Sequence, residues 1–133
     1  MEVDRKALHE YFHEAGVEIA YLFGSVADER AHHDSDCDLA LLMPEPWDPK
    51  EGLTLMTRLR HDLQPLCGRT VDLSFLNQAT ALFRFEVIRN SQVLFSRDEL
   101  ARIEWEKRTR DDYEDFVHFQ SFYIRALKEK LAS

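Results

Sequence analysis

A short apolar run, Val17 to Phe23, ends in Gly24-Ser25, and after a polar spacer of ten residues Asp36-Cys37-Asp38 opens a second apolar run that reaches Met43. Runs this short and this apolar suit strands buried on both faces better than surface helices. Pro44 and Pro46 stop the second strand. The first strand thus delivers the chain to a Gly-Ser turn, and the second opens on two alternate carboxylates, an arrangement suited to holding a metal-bound nucleoside triphosphate.

The flanking segments supply helices and further strands. Asp4 can cap a helix through Ala15, with Ala7, Leu8, Tyr11, Phe12 and Ala15 at helical spacing and Gly16 ending it. Val26 to Ser35 turns polar and reads as a short helical turn and loop. Asp48-Pro49-Lys50-Glu51 has the form of a helix start, and Leu53, Leu55, Met56, Leu59, Leu63 and Leu66 give that helix an apolar face before Gly68 closes it.

Thr70 to Leu76 alternates as a third strand, with Val71, Leu73 and Phe75 on one side and Asp72 on the other. Asn77 is expected to cap a helix from Gln78 to about Arg89, and Gln92 to Phe95 forms a fourth strand. Ser96 and Glu99 then read as a capping box opening a long helix to Leu131. The fold class that follows is α/β (α+β): a small mixed sheet flanked by helices, residues 1–97, followed by a C-terminal helix, residues 98–133, that packs back on the core and helps bind a partner.

Composition bounds the function. With 133 residues and 44% hydrophobic content the chain fits one compact domain. No apolar run is long enough to cross a bilayer and the first residues lack a signal-peptide centre, so a soluble, cytoplasmic protein is expected. Cys37 and Cys67 form no paired metal-ligand pattern and are expected to be reduced thiols. A formal charge of -8 argues against non-specific nucleic-acid affinity, which needs cations to displace counterions.

Side chains two apart on a strand point the same way, so Asp36 and Asp38 aim at one volume while Cys37 turns from it. If the third strand pairs beside the second, Asp72 joins them. Three such acids can ligate two Mg²⁺ ions, which prefer oxygen donors and substrate phosphates. Gly24 lets backbone approach the phosphates, and the Ser25 hydroxyl with nearby amides donates hydrogen bonds to them. Without metal, repulsion should raise at least one carboxylate pKa in the cluster.

Phe23-Gly24-Ser25-Val26-Ala27 and Asp34-Ser35-Asp36-Cys37-Asp38-Leu39 closely resemble the signature of minimal nucleotidyltransferases of the DNA polymerase beta superfamily. The resemblance covers Ile19 to Phe75 by motif and the remainder by element order. It implies metal ligation and catalysis by Asp36, Asp38 and Asp72, a phosphate-binding turn at Gly24 and Ser25, and ATP as substrate. Size and the terminal helix look like the MntA-type antitoxins of HEPN/MNT toxin–antitoxin pairs. That likeness implies AMP transfer from ATP to a tyrosine of a cognate HEPN ribonuclease toxin, in a hetero-oligomer. The spacer departs from many relatives in being acidic at Asp28 and Glu29, with Arg30 its basic residue.

Two other readings stay open: nucleotidyl transfer to a small hydroxyl compound of aminoglycoside type, and a vestigial site in an antitoxin that acts by binding alone. Ribonuclease activity of the HEPN toxin type is not expected, because that family carries Arg, four to six residues, then His, and no Arg and His pair in this chain has that spacing. His32 and His33 read first as a solvated loop, and Asp34 equally as a turn former or an orienting group. The terminal helix carries more aromatics, Phe119 and Phe122 among them, than one packing stripe needs.

Overall fold

The computed structural model describes residues 4–24 and 36–132. The expected turn over Val26 to Ser35 and the residues weighed there, Asp28, Glu29, Arg30, His32, His33 and Asp34, lie outside the described residues, as does Ser25.

Four strands form one sheet: β1 (Ile19–Phe23), β2 (Cys37–Leu42), β3 (Val71–Phe75) and β4 (Gln92–Ser96), in spatial order β3-β2-β1-β4. β1 pairs antiparallel with both β2 and β4, whereas β2 and β3 run parallel. The parallel pair needs a crossover, and α2 (Pro49–Cys67) provides it. With α1 (Arg5–Glu14) it covers one face of the sheet, where Leu8, Phe12, Leu59, Leu63 and Cys67 pack on Ala20, Leu22, Leu39, Leu41, Val71 and Leu73. The Cys37 and Cys67 thiols, both free, meet in this layer. The Cys67 contact and burial raise the Cys37 pKa.

The opposite face carries α3 (Ala81–Arg89) and the start of α4 (Glu99–Ala132). Ile19, Tyr21, Ala40, Leu76 and Val87 form its buried centre, with Phe83 and Trp105 against them. The Tyr21 hydroxyl crosses this layer to donate to Glu106 at 2.8 Å, and Arg102 donates to the same carboxylate at 2.8 Å. Burial, then that bond, pushes the Tyr21 pKa well above its ordinary value. One α4 turn is thereby tied to the central strand.

Local signals set several boundaries as expected. The Asp4 carboxylate accepts from the Ala7 amide, Asp48 from the Lys50 amide ahead of Pro49, and Gly68 ends α2 in the left-handed region at φ +65°. Two expected caps fall elsewhere. Asn77 sits in a 3₁₀ turn, Leu76–Gln78, and the helix begins after Thr80, whose side chain accepts from the Phe83 amide at 3.1 Å. Asn77 instead accepts from the Met43 amide and donates to the Met43 carbonyl, each at 2.8 Å, because closing the end of β2 satisfies two backbone groups at once. At α4, Asp98 rather than Ser96 accepts the first-turn amide, that of Ala101 at 3.2 Å.

Candidate active site

Strand alternation places the acids. Cys37, Leu39 and Leu41 point into the α1–α2 layer, so Asp38 points to the other side of the sheet. Val71, Leu73 and Phe75 do the same in β3, which leaves Asp72 exposed on the side of Asp38. In the parallel register Asp38 stands directly beside Asp72, so two carboxylates are carried by adjacent strands at about 4.8 Å backbone spacing. Asp36 is exposed immediately before β2. Its neighbour Cys37 extends the pairing through a 2.8 Å amide bond to Thr70.

Gly24 closes the rim from the third side. It leaves β1 at φ +77°, and β1 pairs Phe23 with Asp38. A Cβ at Gly24 would lie 2.1 Å from Oδ2 of Asp38, so only glycine lets the turn and the carboxylate occupy this corner together. Phe83 of α3 braces the turn, its ring meeting Phe23 edge to face at 5.8 Å.

The electrostatics follow from the crowding. The Asp38 pKa is raised, first by burial, then by repulsion from Asp72 and then from Asp36. The expected rise in a carboxylate pKa is present, with burial its larger cause. Among the described residues, no three His, Cys, Asp or Glu side chains are gathered closely enough to enclose an ion. The donors still fit Mg²⁺, a hard cation that keeps several waters and binds through one or two carboxylates plus phosphate oxygens. A cation here would also relieve the repulsion that raises Asp38.

Residues 6–100 match the polymerase beta nucleotidyltransferase family. The chain belongs to that family. Among solved structures, this nucleotidyltransferase is similar to a chain of a toxin–antitoxin crystal structure with AMP-PNP, at 20% identity and TM-score 0.72, covering 95% of this chain and 99% of that one. It is similar at 17% identity and TM-score 0.69 to a chain of a complex between a tri-AMPylated Shewanella oneidensis HEPN toxin and MNT antitoxin, covering 94% and 96%. At these identities the likeness is one of fold, and it includes the C-terminal helix. A structure described as a candidate minimal nucleotidyltransferase is 30% identical, with TM-score 0.56, over 66% of this chain and 86% of that one. No curated protein matches the chain significantly in sequence.

Some of the residues that shape the nucleotidyltransferase gave no signal in its sequence. A groove of about 520 Å³, lined by Met43, Glu45, Asn77, Arg84, Trp105 and Arg108 among others, opens at the end of the strands away from Asp38 and Asp72. Arg84 there donates to the carbonyls of Leu76 and Asn77 at 2.7 and 2.8 Å, locking the 3₁₀ turn that follows the Asp72 strand. Among the described residues, no helix is long and apolar enough to cross a membrane.

Proposed function

We propose that this nucleotidyltransferase transfers AMP from ATP to a tyrosine hydroxyl of a cognate HEPN ribonuclease toxin and so neutralises it in the cytoplasm. Residues 1–97 are the transferase core in this reading, and 98–133 an added helix that completes the core and serves protein contact. Asp36, Asp38 and Asp72 are the working carboxylates and Gly24 with Ser25 the phosphate turn. The observation that carries the proposal is the Asp38–Asp72 register across parallel strands beside a glycine whose missing Cβ keeps the corner open.

Mg²⁺, when bound, supplies charge neutralisation for the triphosphate and the departing pyrophosphate. The chain's own part is to orient and to move one proton. Asp36, Asp38 and Asp72 would hold that cation at the rim, while backbone at Gly24 leaves the triphosphate oxygens a close approach without a side chain between. Asp72, exposed on its strand, is free of protein burial and can accept the proton of the tyrosine hydroxyl. The hydroxyl oxygen bonds to the α-phosphorus as the bond to pyrophosphate breaks. Support from relatives is of the same kind: the similar structures hold AMP-PNP in one case and an AMPylated HEPN toxin in another.

The test is incubation with α-labelled ATP, Mg²⁺ and the product of the neighbouring gene. Mass added to that protein in AMP units is the expected result, abolished by Asp38→Asn and by Asp72→Asn. Label appearing only on added small hydroxyl compounds would move the acceptor to that class. Neutralisation that survives combined Asp36→Ala and Asp38→Ala would reduce the protein to a binding antitoxin.

A further inference from the structure

The chain contains two cysteines, one opening β2 and the other closing α2, and the fold brings them into contact. Both are free thiols, fully buried in the layer that holds Leu39, Leu63 and Val71. Cys37 donates its S–H to the Cys67 sulfur, and that bond pulls the Cys67 pKa below its ordinary value against the effect of burial. Packing alone would accept two small hydrophobes here. What two alanines could not supply is one sulfur against another at the root of the strand that carries the acids. Cys37 is the inward-facing residue between Asp36 and Asp38, so a covalent change at its side chain reaches both carboxylates through one residue of backbone.

A disulfide holds its sulfurs about 2.05 Å apart, and sulfurs in hydrogen-bond contact stand roughly 1–2 Å farther away. Closing the bond must therefore move one end of the contact. The Cys67 end is held: the Gly68 amide donates to the Gln64 carbonyl at 2.8 Å, and the Gln64 side chain accepts from the Val71 amide at 3.3 Å. The Cys37 end is looser. It lies one residue beyond the last β1 pair, Phe23 with Asp38, and in the described ladder β3 alone holds it, through the amide bond to the Thr70 carbonyl. The movement falls on the start of β2, where a shift of about 1 Å is enough to spoil a catalytic arrangement.

We propose that Cys37 and Cys67 form a reversible disulfide that turns the nucleotidyltransferase off in the presence of peroxide. The Cys67 sulfur attacks the O–O bond of hydrogen peroxide, keeps one oxygen as a sulfenic acid and releases the other as water. The Cys37 sulfur then attacks the sulfenic sulfur, its proton leaves with the hydroxyl as a second water, and the S–S bond forms. Two thiols lose two hydrogens and the peroxide becomes two waters; exchange with a dithiol returns both thiols. Each cysteine ends an element, where local opening costs less than unfolding the core, and this admits the oxidant from the rim. The loss of nucleotide binding rests on the proposed use of the rim, whereas the disulfide itself does not.

The test treats the reduced full chain with hydrogen peroxide, then denatures and alkylates it and measures its intact mass. The expected product is lighter by two hydrogens and closed to alkylation, and dithiothreitol reopens both thiols. Calorimetric titration with ATP and Mg²⁺ should show the dissociation constant raised at least about tenfold by oxidation and restored by reduction. Cys67→Ser should bind ATP as the reduced chain does and keep that affinity in peroxide, with Cys67→Ala as a second variant should a buried hydroxyl disturb the fold. Thiols that stay open to alkylation, or a sulfinic acid formed in place of the S–S bond, would overturn the proposal. So would a disulfide-bonded chain that binds ATP as tightly as the reduced one. A reduced chain that binds no ATP overturns the reading of the rim and the switch together, and the titration before oxidation tells that failure from the others.

Discussion

At Gly24 a methyl group has no room: its Cβ would overlap Oδ2 of Asp38 at 2.1 Å, and the backbone is left-handed at φ +77°. Gly24→Ala should therefore cost about 1–2 kcal/mol in backbone strain and displace the Asp38 carboxylate, lowering transfer by roughly 100-fold. Gly16→Ala is the control. That glycine has φ +79° but nothing within 4 Å of its Cβ, so the strain cost should appear without loss of transfer, as paired denaturation and transfer assays would show. Asp38 supplies the pH dependence. Its folded pKa is raised, so between the unfolded value near 3.9 and the folded one the native state holds more protons, and stability falls as pH rises through that window. Asp38→Asn should melt above wild type at pH 7, and the gap should close towards pH 4 as the wild-type carboxyl protonates. Mg²⁺ should raise the wild-type melting temperature and move that of Asp38→Asn less.

Among the elements, the joints that matter are those made by contacts distant in sequence. Asn77 clamps both backbone groups of Met43, and Asn77→Ala leaves two part-buried groups without that partner. A loss of about 1–3 kcal/mol in urea denaturation is expected. Arg102 shares the Glu106 carboxylate with Tyr21 and also holds exposed Glu99, whose pKa the contact pulls down to about 2. Caps whose partners lie within three residues, at Asp4 and Asp48, were legible in the sequence. Asn77 was not, because its partner is 34 positions away and its own local pattern equally fits a helix cap. Ser96 was misassigned as the cap for a smaller reason: Asp98, two residues on, stands nearer the first-turn amides that need an acceptor.

Across the whole molecule, the three-layer body and the projecting half of α4 have separate roles in stability. Among the described residues none beyond Tyr113 is buried, and Phe119 and Leu131 are 69% and 77% exposed. Removing residues 116–133 should shift the melting temperature of dilute protein by no more than about 2 °C, since little apolar area returns to water, and calorimetry would measure it. The sequence by itself determined the strand and helix order, the glycine corner and the acids at 36 and 38, because each depends on periodicity or on neighbours a few residues away. Only the tertiary structure decided that Asp72 stands beside Asp38, that burial outweighs repulsion in raising Asp38, and that half the last helix has no core beneath it. Strand register, solvation and coverage depend on what the folded chain brings alongside, and one-dimensional spacing carries no record of that.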